Sequence, residues 1–211
     1  MQLYLASTSP ARLATLRAVG VEPVLLSSGV DEEAVAAAAG QLDGPGLVQL
    51  LARAKAEAVV GRSVNGEPID GFILGGDSAF ELDGTLYGKP HLPEVARERW
   101  LAQRGRTGML HSGHWLIDHR GGVRGEAVGG VSTASVTFAH SITDEEIDAY
   151  LATGEPLEVA GAFTIDSLGA PFISGIDGDP HAVVGLSVAL LRTLLLEFGI
   201  PWHSLWNRPV L

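Results

Sequence analysis

The residues of this chain best suited to chemistry lie in four short segments. Phe72-Ile73-Leu74-Gly75-Gly76-Asp77 reads as a buried strand ending in a carboxylate, the position at which α/β proteins bind ligands. Ser7-Thr8-Ser9-Pro10-Ala11-Arg12 puts hydroxyls, backbone N–H groups and a helix N-terminus around one point. That is an anion site, with the Arg12 fork in reach of a phosphate; the same residues would equally make an ordinary N-cap with a surface arginine. Asp31-Glu32-Glu33 offers adjacent acids to a hard cation, or is simply an acidic loop or the start of a helix. Lys55 stands in the helical pattern Leu51-Ala52-Arg53-Ala54-Lys55-Ala56, where a lone lysine is normally solvated. Lys89 follows the turn signal Asp83-Gly84. If that hairpin sets Leu82 opposite Thr85, then Ser78 faces Lys89 and Asp77 faces Pro90. Asp77 and Lys89 would point to opposite faces of a regular ladder, and only a bulge or lost pairing would bring both to one site. The other reading has Asp77 capping a turn and Lys89 on an edge.

The elements that must position these groups alternate along the chain. Gln2 to Ala6 reads as a strand, and Ser9 with Pro10 starts a helix running to about Val19, stopped by Gly20. Glu22 to Ser27 is a second strand, Ala34 to Gly40 a local alanine bias, and Pro45 to Val60 a helix by its apolar spacing. Ala79–Leu82 and Thr85–Tyr87 form the hairpin, and Pro93 to Gln103 a helix. Met109 to Asp118 and Val131 to Phe138 alternate as strands joined through Gly121-Gly122. Thr143-Asp144-Glu145-Glu146 is a capping box opening a helix to Thr153. Gly161 to Ile165 and Pro171 to Ile176 read as short strands, and Leu186 to Phe198 as a last helix with Gly199 its stop. Hairpins among alternating helices and strands predict an α/β fold with a mixed sheet.

Composition narrows the function. At 211 residues, with 46% hydrophobic and 18% charged, the chain suits one domain, 1–211, with an ample core. It has 0 cysteines, so no disulfide, thiolate metal site or cysteine nucleophile. With 14 Lys and Arg against 25 Asp and Glu, the net charge of −11 gives no general attraction to nucleic acid or anionic lipid. A polyanionic ligand would need local cations, and a divalent metal with them. The N-terminus lacks a signal-peptide pattern and no apolar run reaches membrane-spanning length, so a soluble cytoplasmic protein is expected. P-loop, G-x-G-x-x-G, G-x-S-x-G and H-E-x-x-H motifs are absent. His111, His114 and His119 cluster in one predicted strand, but 114 points away from the other two, which favours a structural or surface role over a ligand set.

Taken together, these segments resemble the Maf, or septum formation inhibitor, proteins. Leu3 to Arg12, Ser28-Gly29-Val30-Asp31-Glu32, Leu51 to Ala56, Gly76-Asp77-Ser78 with Gly88-Lys89-Pro90, and Gly105-Arg106-Thr107 look like successive family blocks. So do Ala149 to Pro156, Ala160 to Ile165, Gly175 to Asp179 and Val183 to Leu186, so that the likeness spans essentially the whole chain. The resemblance implies a Maf/ITPase-like fold: an elongated mixed sheet flanked by helices, with two lobes around a central cleft, and often a homodimer. It implies a nucleoside triphosphate pyrophosphatase using a divalent cation (Mg²⁺, Mn²⁺ or Co²⁺), with water attacking the α-phosphorus. Asp77 matches the proton acceptor, and Ser7, Ser9, Arg12, Glu32, Lys55 and Lys89 the other site positions. Glu32 and Asp77 would bridge to the metal.

Three positions depart from the family members that favour pyrimidine triphosphates: Ala11, Ser78 and Asp166 stand where those carry arginine, threonine and glutamine. Losing a guanidinium and exchanging an amide for a carboxylate changes the hydrogen bonding around a base, so neither the thymidine/uridine preference nor the methylated-guanine one carries over. The expected function is hydrolysis of canonical or modified nucleoside triphosphates to the monophosphate and pyrophosphate, linked through the family's older name to division arrest. The alternatives are a non-catalytic nucleotide-sensing regulator of septation and a related purine-triphosphate pyrophosphatase.

Overall fold

The computed structural model describes residues 1–208. A seven-stranded mixed sheet runs in the order β2-β1-β5-β7-β8-β9, with β6 paired to β5. Its strands are β1 (Leu3–Leu5), β2 (Val24–Leu25), β5 (Gly71–Leu82), β6 (Thr85–Tyr87), β7 (Thr107–His119), β8 (Ala127–Phe138) and β9 (Ile173–Asp177). A separate small hairpin pairs β3 (Ser63–Val64) with β4 (Glu67–Pro68). The helices are α1 (Pro10–Ala18), α2 (Glu32–Ala39), α3 (Gly44–Glu57), α4 (Pro93–Gln103), α5 (Asp144–Ala152), α6 (Pro180–Val184) and α7 (Val188–Glu197). The chain divides into two compact units. One comprises Met1–Asp77, Ser112–Ser132 and the chain from Gly185 onward; the other comprises Ser78–His111 and Thr133–Val184.

In the first unit β1 lies parallel to both neighbours, with Leu5 level with Leu25 of β2 and with Leu74 of β5. β1 and the part of β5 beside it are buried on both faces, as parallel strands usually are, whereas Leu25 of the edge strand β2 is exposed. Leu3, Leu5, Phe72 and Leu74 pack with Leu16 of α1 and Leu191, Leu194 and Leu195 of α7. Tyr4 and Ile73, on the other face, pack with Ala56, Val59 and Ile69. The apolar face of α3 lies close against β5: a side chain at Gly75 would put its Cβ 2.1 Å from the carbonyl oxygen of Ala52. Only a residue without a Cβ permits that approach.

In the second unit Phe80, Trp100, Phe138 and Phe163 form an edge-to-face aromatic core, with Trp100 and Phe138 centroids 5.5 Å apart. Two of its buried donors are tied to backbone: Trp100 Nε1 donates to the Ala162 carbonyl at 2.8 Å and Gln103 Nε2 to that of Gly161 at 2.8 Å. The capping box at Thr143 and Glu146 forms as expected.

Most expected elements are present, and the differences have local causes. The hairpin register holds, with Leu82 opposite Thr85, Glu81 opposite Leu86 and Phe80 opposite Tyr87. β6 ends at Tyr87, so Gly88 and Lys89 leave the strand. β5 does not stop at Asp77; it continues unbroken to Leu82. The alanine-rich stretch is helix α2, because Asp31 caps it by accepting from the Ala34 N–H. No strand forms at Gly161 to Ile165: Ala162 has a φ of 64° and belongs to a short 3-10 turn, a backbone no strand accommodates. Pro171 falls in another 3-10 turn, so the strand expected from it begins at Ile173. The terminal segment Trp202 to Leu211, to which the sequence assigns no role, begins as a 3-10 turn over Trp202–Leu205; residues 209–211 lie outside the described residues.

Candidate active site

Seven of the expected site residues lie in the first unit: Ser7, Ser9, Ala11, Arg12, Glu32, Lys55 and Asp77. Ser7 follows β1. Ser9 caps α1, its Oγ accepting from the Arg12 N–H at 3.4 Å, while Ser7 Oγ accepts from the Ser9 N–H at 3.2 Å. Arg12 folds back from the first turn of α1 and is buried. Its Nη1 donates to Ser7 Oγ at 3.1 Å and its Nε to the Gly185 carbonyl at 2.8 Å. The guanidinium also lies against Gly76, where an added Cβ would stand 3.2 Å from Arg12 Nε. Burial lowers the Arg12 pKa, and the nearby charges of Asp77 and Glu32 raise it again. An arginine retains its charge through such shifts, so this turn presents a fixed cation beside two hydroxyls and a helix N-terminus.

The second half of the cluster is acidic. Lys55, three residues beyond Ala52 on the face of α3 that meets β5, is buried rather than solvated. Its Nζ donates to Asp77 Oδ1 at 2.6 Å and lies 2.7 Å from Glu32 Oε1. Glu32 reaches in from the first turn of α2 with its side chain half exposed, whereas Asp77 is buried. Burial pushes the Asp77 carboxyl above the usual aspartate range, against the opposing pull of Lys55 and Arg12. Arg12, Lys55, Glu32 and Asp77 together are close to neutral, an arrangement that can take an anion at the arginine while holding a carboxylate poised to accept a proton.

Ala11 is half-buried in the first turn of α1. The remaining expected residues are placed differently. Ser78, Lys89 and Asp166 belong to the second unit. Ser78 is half-buried next to Asp77 on β5 and so points to the opposite face. Lys89 is exposed beyond the end of β6. Asp166 is exposed in a loop anchored by Glu155, which accepts from Thr164 Oγ1 and Ser167 Oγ, each at 2.6 Å. The three clustered histidines are interior, not surface, groups. His111 contacts Thr133 Oγ1 at 2.9 Å and Glu81 Oε2 at 3.0 Å, and His119 Nδ1 contacts the Ile69 carbonyl at 2.9 Å. Among the described residues no group of three or more His, Asp or Glu is placed to hold a metal ion. The Gly185 carbonyl was invisible to sequence reasoning, since a backbone acceptor leaves no mark on residue type.

The first unit thus sets a buried arginine, beside two hydroxyls and a helix N-terminus, near a buried carboxylate–ammonium pair. The chain belongs to the Maf-like protein family, which it matches over residues 2–198. A relative from Leifsonia xyli subsp. xyli (strain CTCB07), named nucleoside triphosphate pyrophosphatase, is 66% identical, with 99% of this chain and 98% of the relative covered. A protein of the same name from Salinispora tropica (strain ATCC BAA-916 / DSM 44818 / JCM 13857 / NBRC 105044 / CNB-440) is 50% identical, covering 99% of this chain and 88% of that protein. The Staphylococcus aureus Ham1 protein has a similar fold, with a TM-score of 0.51 at 13% identity, covering 95% of this chain and 100% of that one. No helix among the described residues is long and apolar enough to cross a membrane.

Proposed function

We propose that this protein is a nucleoside triphosphate pyrophosphatase in which Asp77 accepts the proton of the attacking water. The reading rests above all on the buried Arg12, which lies against Gly76, and the adjoining buried Asp77 with its ion pair to Lys55. The names of the relatives, at up to 66% identity, supply the reaction. Water attacks the α-phosphorus, a new P–O bond forms, and the bond from that phosphorus to the bridging oxygen breaks. Pyrophosphate leaves with the bridging oxygen, and the nucleoside monophosphate keeps the water's oxygen. Arg12, Ser7, Ser9 and the N-terminus of α1 hold phosphate oxygens. Lys55 orients Asp77 by binding Oδ1. Positioning and charge neutralisation dominate the rate gain.

Glu32 and Asp77 both reach Lys55 Nζ, so their oxygens converge on one point. These two carboxylates would be the residues to hold a hard divalent cation. When bound, Mg²⁺, Mn²⁺ or Co²⁺ supplies charge neutralisation and a lowered pKa for water. The family likeness assigns Lys89 to the phosphates and Ala11, Ser78 and Asp166 to the base. An ionised Asp166 accepts hydrogen bonds only, which favours a base edge that donates, such as an exocyclic amine.

The test is pyrophosphate release from a panel of canonical and modified triphosphates with each of the three cations. Turnover is expected, and Asp77→Asn should lower kcat by roughly 10²-fold while leaving the protein folded. Nucleotide binding without turnover across the panel would sink the enzyme and favour a sensing role.

A further inference from the structure

His114 takes no part in the mechanism above, yet it is fully buried in the same unit and its two ring nitrogens have opposite tasks. Nδ1 lies 3.1 Å from the Ser112 carbonyl oxygen, which can only accept, so Nδ1 carries the proton. Nε2 lies 3.0 Å from the Ser187 N–H, which can only donate, so Nε2 is the bare acceptor. The two partners select a single neutral tautomer. The His114 carbonyl also accepts from Gln49 Nε2 of α3 at 3.1 Å, which fixes the backbone that carries the ring.

Ser187 is the N-cap of α7, its Oγ accepting from the Leu190 N–H at 3.0 Å. Two residues earlier, the Gly185 carbonyl accepts Arg12 Nε at 2.8 Å, with buried Leu186 between them. The segment 185–187 is therefore held at one end by an imidazole acceptor and presents at the other the acceptor that orients the guanidinium. We propose that His114 is a positioning residue for phosphate binding: through the Ser187 N–H it sets the Gly185 carbonyl and hence the plane of Arg12. The proposal rests on Arg12 binding phosphate, as argued above.

Two substitutions separate the ring's tasks. In His114→Gln the Oε1 atom can stand where Nε2 accepts; in His114→Asn the amide reaches only the Ser112 side. The probe is inorganic pyrophosphate, measured as a competitive inhibitor of triphosphate hydrolysis by the full chain. The Asn variant should weaken pyrophosphate by roughly tenfold, the scale of one hydrogen bond made by a charged group. The Gln variant should stay within about threefold, and KM for triphosphate should move with the inhibition constant more than kcat does. Arg12→Met should weaken pyrophosphate at least as much as the Asn variant, and adding His114→Asn to it should change little further, because the two act as one unit. A core histidine with no link to Arg12 would give additive losses in that cycle, which would overturn the proposal. Equal losses in folded Asn and Gln variants would also overturn it, and should the Asn variant not fold, a tenfold loss in folded Gln alone does so. Unchanged inhibition in Arg12→Met would instead remove the arginine's assignment to phosphate, and this proposal with it.

Discussion

Replacing Lys55 by methionine removes an ammonium that two carboxylates share, and the structure sets the size of the result. The Lys55 and Asp77 side chains are each only 10% exposed, and Nζ sits 2.6 Å from Oδ1. At an effective dielectric constant of ~20 the raw attraction at that distance is about 6 kcal/mol, before either desolvation penalty. Lys55→Met strands Asp77 as a buried charge, and breaking a buried pair in this way costs about 3–5 kcal/mol. Glu32 is 50% exposed, returns to water, and adds at most ~1 kcal/mol. For a chain of this size, about 2–4 °C per kcal/mol gives a fall in Tm of roughly 6–20 °C. Glu32→Gln should lower Tm by no more than about 4 °C. Adding Asp77→Leu to Lys55→Met should recover part of the loss, because an apolar pair of similar volume leaves neither partner as a stranded charge. Thermal and urea unfolding of the four proteins decides the matter. If Lys55→Met is no less stable than Glu32→Gln, or if the second substitution recovers nothing, Lys55 and Asp77 do not form a dry ion pair.

Burial raises the Asp77 pKa, so the group loses its charge, and its capacity as a base, at a higher pH than an ordinary aspartate. The acidic limb of kcat/KM should accordingly lie above the usual aspartate range, and a limb at or below it in a steady-state pH profile would contradict the assignment. Gly75→Ala drives a Cβ against the Ala52 carbonyl and should lower stability by about 3 kcal/mol or more, displacing α3 and with it Lys55; a calorimetric Tm within 2 °C of the parent, estimated on the same scale, would rule out the close approach. Thr143→Ala breaks the capping box of α5, for about 1 kcal/mol and a Tm lower by roughly 2–4 °C, with turnover untouched when both are measured on the same preparation.

Local chemistry was legible wherever neighbours in sequence are neighbours in space. Ser9 and Pro10 start α1, Asp83-Gly84 turns the hairpin into the expected register, and Thr143 with Glu146 closes its capping box. Each such signal needs only a few consecutive residues. The alanine stretch after Asp31 misled because its helix carries no buried apolar face. The expected strand after Ala160 failed on a backbone conformation that residue type does not announce.

Residue types and order along the chain predicted a mixed α/β sheet, and the family resemblance they carry nominated Asp77, Arg12, Lys55 and Glu32. Tertiary structure alone decided that Lys55, by its pattern a solvated helical lysine, is buried on Asp77, since that depends on how closely α3 approaches Gly75. It alone aimed Arg12 at a backbone carbonyl 173 residues away and gave His114 its fixed tautomer. Ion pairs and hydrogen bonds act over about 3 Å, so contacts between segments distant in sequence exist only once the packing of helices on the sheet has brought them within that range.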